Sequence, residues 1–213
     1  MSVNKDILNE MIYTLSALDI QYLDGVTDIQ YRVEELKDKE LKFNYGASKG
    51  CLSKKSWDYV IKWTIVYNED EDSIIDYFDE AMQEVDLYEK SIQNGLEILF
   101  PETLFLIALN DINFVIQEKV DIQYCYLEND EKEEKNCKIS QKNEKYLNYF
   151  ISELCLSFST MGWFNCVIDL YGRIFMQKLF SFISQNRIND LHSANVGFKG
   201  NKPKILDFCG FNR

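Results

Sequence analysis

A chain of 213 residues with 46% hydrophobic and 14% aromatic side chains can build a sizeable core, which excludes global disorder. Its length suits one domain or two small lobes sharing a cleft. The formal charge of −12 argues against direct binding to nucleic-acid backbones, which takes clustered Lys and Arg. It suits solubility, or a surface that competes with nucleic acid for a basic partner. Six scattered cysteines without a C-x-x-C pair, beside a single histidine, exclude structural zinc and predict reduced, mostly buried thiols in a cytoplasmic protein.

The opening MSVNKDILNE has neither a basic region nor an apolar stretch, so no secretory signal is expected. Ile7, Leu8, Met11, Ile12, Leu15 and Leu18 recur at helical spacing and predict a helix over residues 4–18, within an N-terminal helical extension over 1–40. Leu41, Phe43 and Tyr45 alternate as in a strand, and the run from Gly46 to Gly50 then reads as a turn. Residues 57–67 (WDYVIKWTIVY) are aromatic and β-branched, which predicts a strand. An acidic segment over 69–72 leads to a predicted helix over 73–99, followed by strands over 103–109 and 113–120 joined at Asn110-Asp111, a tight-turn pair. These elements make a sheet-bearing lobe over 41–127.

Residues 128–146 (ENDEKEEKNCKISQKNEKY) offer almost nothing to bury and read as an exposed polar insertion at the boundary between lobes. Beyond it, residues 147–213 form a reduced helical lobe. The apolar run over 154–168 is fifteen residues long and holds Ser157, Ser159, Thr160 and Asn165; a spanning helix takes about 20, so the run is core and no membrane association is expected. Ile168, Tyr171, Phe175, Leu179, Phe182 and Ile183 share one face of a helix ending near Asn186. Lys204 to Phe208 is a short strand running into an acid. Strands with one helix, a hinge and then helices make an α+β chain in two lobes.

The chemistry concentrates in the tail, where Asp190-Leu191-His192-Ser193-Ala194-Asn195 is followed by Asp207-Phe208-Cys209-Gly210. The first resembles the protein-kinase catalytic loop D-L-x-x-x-N, and the second resembles D-F-G. Phosphoryl transfer needs positioning and charge neutralisation more than covalent chemistry, which is why an acid, an amide five residues later and a second acid recur at this spacing. The resemblance implies Asp190 as catalytic base and Asn195 with Asp207 as Mg²⁺ ligands. It further implies Lys62, in Val60-Ile61-Lys62, as the cation on the ATP phosphates, held by a helix glutamate, for which Glu84 is preferred to Glu89. Gly46 and Gly50 become a phosphate-covering turn, and the backbone from Glu118 to Val120 meets adenine. The matching parts occur in order across residues 41–211 and imply a two-lobed kinase-like fold, with Lys62 and Asp207 facing each other across a cleft.

Several positions depart from the kinase pattern. Ile188-Asn189 replaces the His-Arg before the catalytic acid, the glycine turn is incomplete, and Cys209 stands where D-F-G has its glycine. Six residues follow Asp207, so no activation segment or peptide dock is expected. In this form the chain is similar to small kinase-like proteins of bacteria and their phages. The same residues admit structural readings: Asp190 and Asn195 as turn caps, Lys62 as a solvated edge lysine, Glu84 as an exposed helix residue, and His192 in a local hydrogen bond. The sequence thus supports a nucleotide-binding kinase or pseudokinase taking ATP and Mg²⁺, with phosphate or nucleotidyl transfer open. The alternative is a non-enzymatic acidic protein of a phage or mobile element that binds a host nucleic-acid-binding or defence protein.

Overall fold

The computed structural model describes residues 3–19, 26–45, 49–65, 79–109, 112–120, 139, 141–188 and 190–208. They form a mixed α+β chain that divides into two compact units, Met1–Val85 with Thr103–Lys119, and Asp86–Glu102 with Val120–Arg213. Gly46, the acidic segment over 69–72, the Asn110-Asp111 turn and most of the 128–146 insertion lie outside the described residues.

The first unit is built on a five-stranded antiparallel sheet: β1 (Leu41–Tyr45), β2 (Lys49–Lys54), β3 (Tyr59–Thr64), β4 (Thr103–Leu109) and β5 (Ile112–Glu118), in the order β1-β2-β3-β5-β4. Two helices precede it, α1 (Lys5–Leu18) and α2 (Val26–Glu35). Asn4 caps α1 by accepting the Asp6 N–H at 2.9 Å. The strand period gives the sheet two unlike faces. Leu41, Leu52, Ile61, Trp63, Phe114 and Ile116 line one of them and form a single core with Met11, Leu15 and Leu18 of α1 and Ile29 and Val33 of α2. The apolar stripes of α1 and α2, from the N-terminal helical extension, thus complete the core on this face of the sheet.

Sequence reading placed Gly50 in a turn, whereas it lies inside β2, paired with Trp63 and Tyr45. The Trp63 indole covers it so closely that a Cβ there would sit 2.4 Å from Cζ2. Phe43 and Phe114 flank the same indole, at ring-centroid distances of 5.7 and 5.6 Å. The glycine thus lets a tryptophan lie against the backbone, and the strand begins earlier than the turn-like composition suggests.

The opposite face carries Lys49, Cys51, Lys62, Thr64, Asn113, Gln117 and Thr103, as the strand register dictates. This polar face meets the start of α3 (Glu80–Gln93). Asp79 caps that helix, its carboxylate accepting the Met82 N–H at 3.1 Å, the Thr64 hydroxyl at 3.0 Å and the Asn113 amide at 2.7 Å. The Ala81 N–H donates to Thr64 Oγ1 at 3.0 Å. The helix is fastened to the sheet by polar bonds, each of whose donors has a partner.

The second unit contains the later part of α3, a 3₁₀ turn at Glu97–Leu99, α4 (Gln141–Glu153), α5 (Met161–Gln185) and a hairpin of β6 (Val196–Lys199) and β7 (Lys202–Ile205). Its core includes Leu96, Phe100, Leu147, Ile151, Trp163, Phe164, Leu179, Phe180, Ile183 and Phe208. α5 is interrupted at Gly172, which has φ 82° and ψ 170°. Three helices end alike, with a left-handed residue followed by a buried apolar one whose N–H reaches back five residues. Leu96 donates to Ser91 at 2.8 Å, Leu156 to Ile151 at 2.9 Å and Ile188 to Ile183 at 3.0 Å, after Gly95, Cys155 and Arg187 at positive φ. Among the described residues no helix is long and apolar enough to cross a membrane.

Candidate functional site

The first group of predicted site residues lies on the polar face of the sheet. Lys62, in the middle of β3, places its Nζ 3.2 Å from Glu84 Oε2 and 3.3 Å from Oε1. Glu84 has no exposed surface. A buried carboxylate is tolerated only when paired and hydrogen-bonded, and here three groups converge on it. Besides Lys62, Lys49 Nζ reaches Oε1 at 2.9 Å and the Gln117 amide donates to Oε2 at 3.0 Å. The same amide reaches Thr103 Oγ1 at 3.1 Å, which links β4, β5 and α3. Lys62 thus stands on the central strand of the sheet rather than at an edge, and Glu84 is no surface residue. Glu89 is exposed.

Sequence reasoning missed Lys49, Gln117 and Thr103. The available signal was alternation: Lys49, Cys51 and Ser53 fall on one side of β2, as Lys62 and Thr64 do on β3. Cys51 lies opposite Lys62 in the ladder, and burial pushes its thiol pKa up. Against the expectation of mostly buried thiols, Cys155 is exposed and Cys51 and Cys166 are half-buried. At the end of β5, Glu118 pairs with Tyr59 and the Lys119 N–H donates to Asp58 at 2.8 Å. The chain passes from the first unit to the second between Lys119 and Val120.

The second group lies in the second unit, around the hairpin. Asn195 closes a 3₁₀ turn, Ser193–Asn195, and its amide donates to the Asp190 carbonyl at 2.7 Å. That bond orients the amide so that its Oδ1 is the atom left to act as a ligand. Asp190 is 41% exposed, with His192 Nε2 at 3.8 Å from Oδ1. His192 spends Nδ1 locally, accepting the Ala194 N–H at 3.2 Å. The Leu206 N–H donates to the Asn195 carbonyl at 2.8 Å, which ties the loop to the segment carrying Asp207. Next to that acid, Phe208 is buried edge-on against Phe100 at 5.1 Å. Lys204 is also buried and donates to the Phe100 carbonyl at 2.8 Å.

Among the described residues no group of three or more His, Cys, Asp or Glu side chains is placed to hold a metal ion. Asn195 and Asp207 are hard oxygen donors on two hydrogen-bonded segments. Oxygen donors of this kind are the type that Mg²⁺ takes. A groove of about 500 Å³ lined by Gln93, Asn94, Ile174, Gln177, Lys178 and neighbouring residues shares no member with either group. No protein-family model matches the chain, and no curated protein matches it either.

Proposed function

We propose that the chain is a kinase-like nucleotide-binding protein that takes ATP with Mg²⁺. The observation that carries this reading is the pair between Lys62 and the fully buried Glu84. In protein kinases the phosphate-binding lysine stands on the third strand and pairs with a glutamate of the next helix. Here Lys62 is on the third strand of the sheet and Glu84 on the helix that follows. In this reading the sheet-bearing unit is the small lobe of a two-lobed kinase-like fold, and the helical unit is a reduced large lobe.

Each residue then has a task set by its chemistry. Glu84 holds the Lys62 ammonium against the sheet, ready for phosphate oxygens. The Glu118–Val120 backbone would meet adenine, with the Lys119 N–H already given to the Asp58 carbonyl. Asn195 and Asp207 hold Mg²⁺, which when bound neutralises charge on the phosphates. Asp190 faces solvent and can accept the proton of an acceptor hydroxyl, for phosphate or nucleotidyl transfer. The reading requires one Mg–ATP to engage Lys62 and Asp207 together.

Thermal unfolding of the full chain tests it. A ligand at one hundred times its Kd stabilises by about 2.7 kcal/mol, and each kcal/mol moves Tm by roughly 2–4 °C at this size. Mg–ATP should therefore raise Tm by about 5–10 °C. Lys62→Ala should blunt the shift, and Asp207→Ala should remove the part that chelator removes. If millimolar ATP and GTP leave Tm unmoved, the nucleotide reading fails. The charge of −12 would then favour an acidic surface that binds a basic protein partner.

A further inference from the structure

We propose that Lys49 is a second phosphate-binding lysine of this site, so that a nucleotide's phosphates meet two ammonium groups from neighbouring strands. The proposal rests on the nucleotide reading above and deepens it. Three observations carry it. First, Lys49 and Lys62 both lie within 3.3 Å of the same oxygen, Glu84 Oε1, and Lys49 is the closer at 2.9 Å. Second, the register pairs Lys49 with Thr64 and Cys51 with Lys62, so the two lysines are diagonal neighbours on the polar face. Long side chains reach each other across such a diagonal. Third, both side chains keep an edge open to solvent, 11% for Lys49 and 12% for Lys62, while Glu84 keeps none.

The electrostatics favour a polyanion. Two like charges held on one carboxylate oxygen repel each other. Glu80 lies 3.9 Å from Lys49 and offsets part of that repulsion. A triphosphate presents several oxygens to the two ammoniums and can replace the longer Glu80 contact. Glu84 then acts as a positioning residue for both lysines. Gln117 contributes by donating to the second oxygen, Oε2, which Lys62 also reaches.

The test is calorimetric titration of the full chain with Mg–ATP, Mg–ADP and adenosine, in the parent, Lys49→Ala, Lys49→Gln and Lys49→Arg. Glutamine keeps a donor for Glu84 without the charge, so it reports on the ligand even where alanine loosens the helix. One lost charge-assisted contact should weaken Mg–ATP about tenfold to a hundredfold, while adenosine affinity stays within about twofold and arginine restores most of the loss. Parental Mg–ATP affinity in Lys49→Gln overturns the proposal and leaves the nucleotide reading standing. Equal weakening of ATP and adenosine also overturns it, since that is the mark of a distorted fold. A parent protein that binds no Mg–ATP removes the nucleotide reading and this inference with it.

Discussion

Replacing Glu84 by Gln removes one charge from the centre of the polar face while keeping the side chain's shape. In the parent, the carboxylate accepts from Lys49 at 2.9 Å, from Lys62 at 3.2 Å and from Gln117 at 3.0 Å. In the variant, an amide NH₂ would point at groups that are themselves donors, and two ammoniums would lose their common anion. Removing one partner of a buried pair costs about 3–5 kcal/mol. Lys49 and Lys62 are 11–12% exposed and can recover some hydration, which places the loss near the lower bound, about 3 kcal/mol. The expected fall in Tm is then about 6–12 °C. Urea unfolding followed by near-UV circular dichroism measures the loss directly, with Lys62→Met as a milder companion, because Lys49 still compensates the carboxylate. A loss below about 1 kcal/mol, the worth of a surface ion pair, would refute the claim that this carboxylate anchors α3 to the sheet.

Other perturbations address other parts of the molecule. If label transfer from ATP is detected, Asp190→Asn should slow it by roughly 10²–10⁴-fold with Tm unchanged; an unaltered rate would remove Asp190 from the chemistry. Gly50→Ala forces a Cβ into the Trp63 ring, a clash at 2.4 Å, and should cost about 1–3 kcal/mol in a denaturation experiment. The Lys54 hydrogen bonds lower the pKa of Glu10 and of Asp38 from ordinary values of 4.5 and 3.8. Groups depressed in the folded state contribute stability above their unfolded pKa and lose it as pH falls through the folded one. Melting curves from pH 5 down to about pH 2 should show Lys54→Met losing less stability than the parent, and parallel curves would contradict the assignment.

Periodicity made much of the fold legible. The apolar spacing of Met11, Leu15 and Leu18 located α1, and the alternation in β1 and the composition of β4 placed those strands at their observed ends. β5 was displaced by only one or two residues. Helix ends were harder, because Asp19, Cys155 and Arg187 take left-handed backbone at helix ends, where the usual signal is glycine. α4 hid inside a polar stretch, since only the narrow stripe of Asn143, Leu147 and Ile151 is buried. In the candidate site, Lys62 with Glu84 was readable because a resemblance supplied both the pairing and its order along the chain. Lys49 was not, because Gly46-Ala47-Ser48-Lys49-Gly50 has the composition of a turn. Only long-range pairing with β3 shows that Lys49 faces Glu84 and that Gly50 accommodates Trp63. A buried glutamate cannot be recognised from its own neighbourhood either, since its compensating donors lie 33 to 35 residues away and 22 residues away in sequence.

The placement of the tryptophans has an optical consequence. Trp57 and Trp63 are buried in the first unit, Trp163 in the second, where its indole N–H donates to the Gly197 carbonyl at 3.1 Å. Indole emission shifts to longer wavelength when water reaches the ring, so each unit carries its own fluorophore. A protein with Trp163 replaced by phenylalanine reports the opening of the sheet unit alone. One retaining only Trp163 reports the α5 and hairpin region that holds Asp190 and Asn195. Coincident denaturation midpoints from the two would identify a single cooperative transition, and separated midpoints would give the stability of each unit on its own scale.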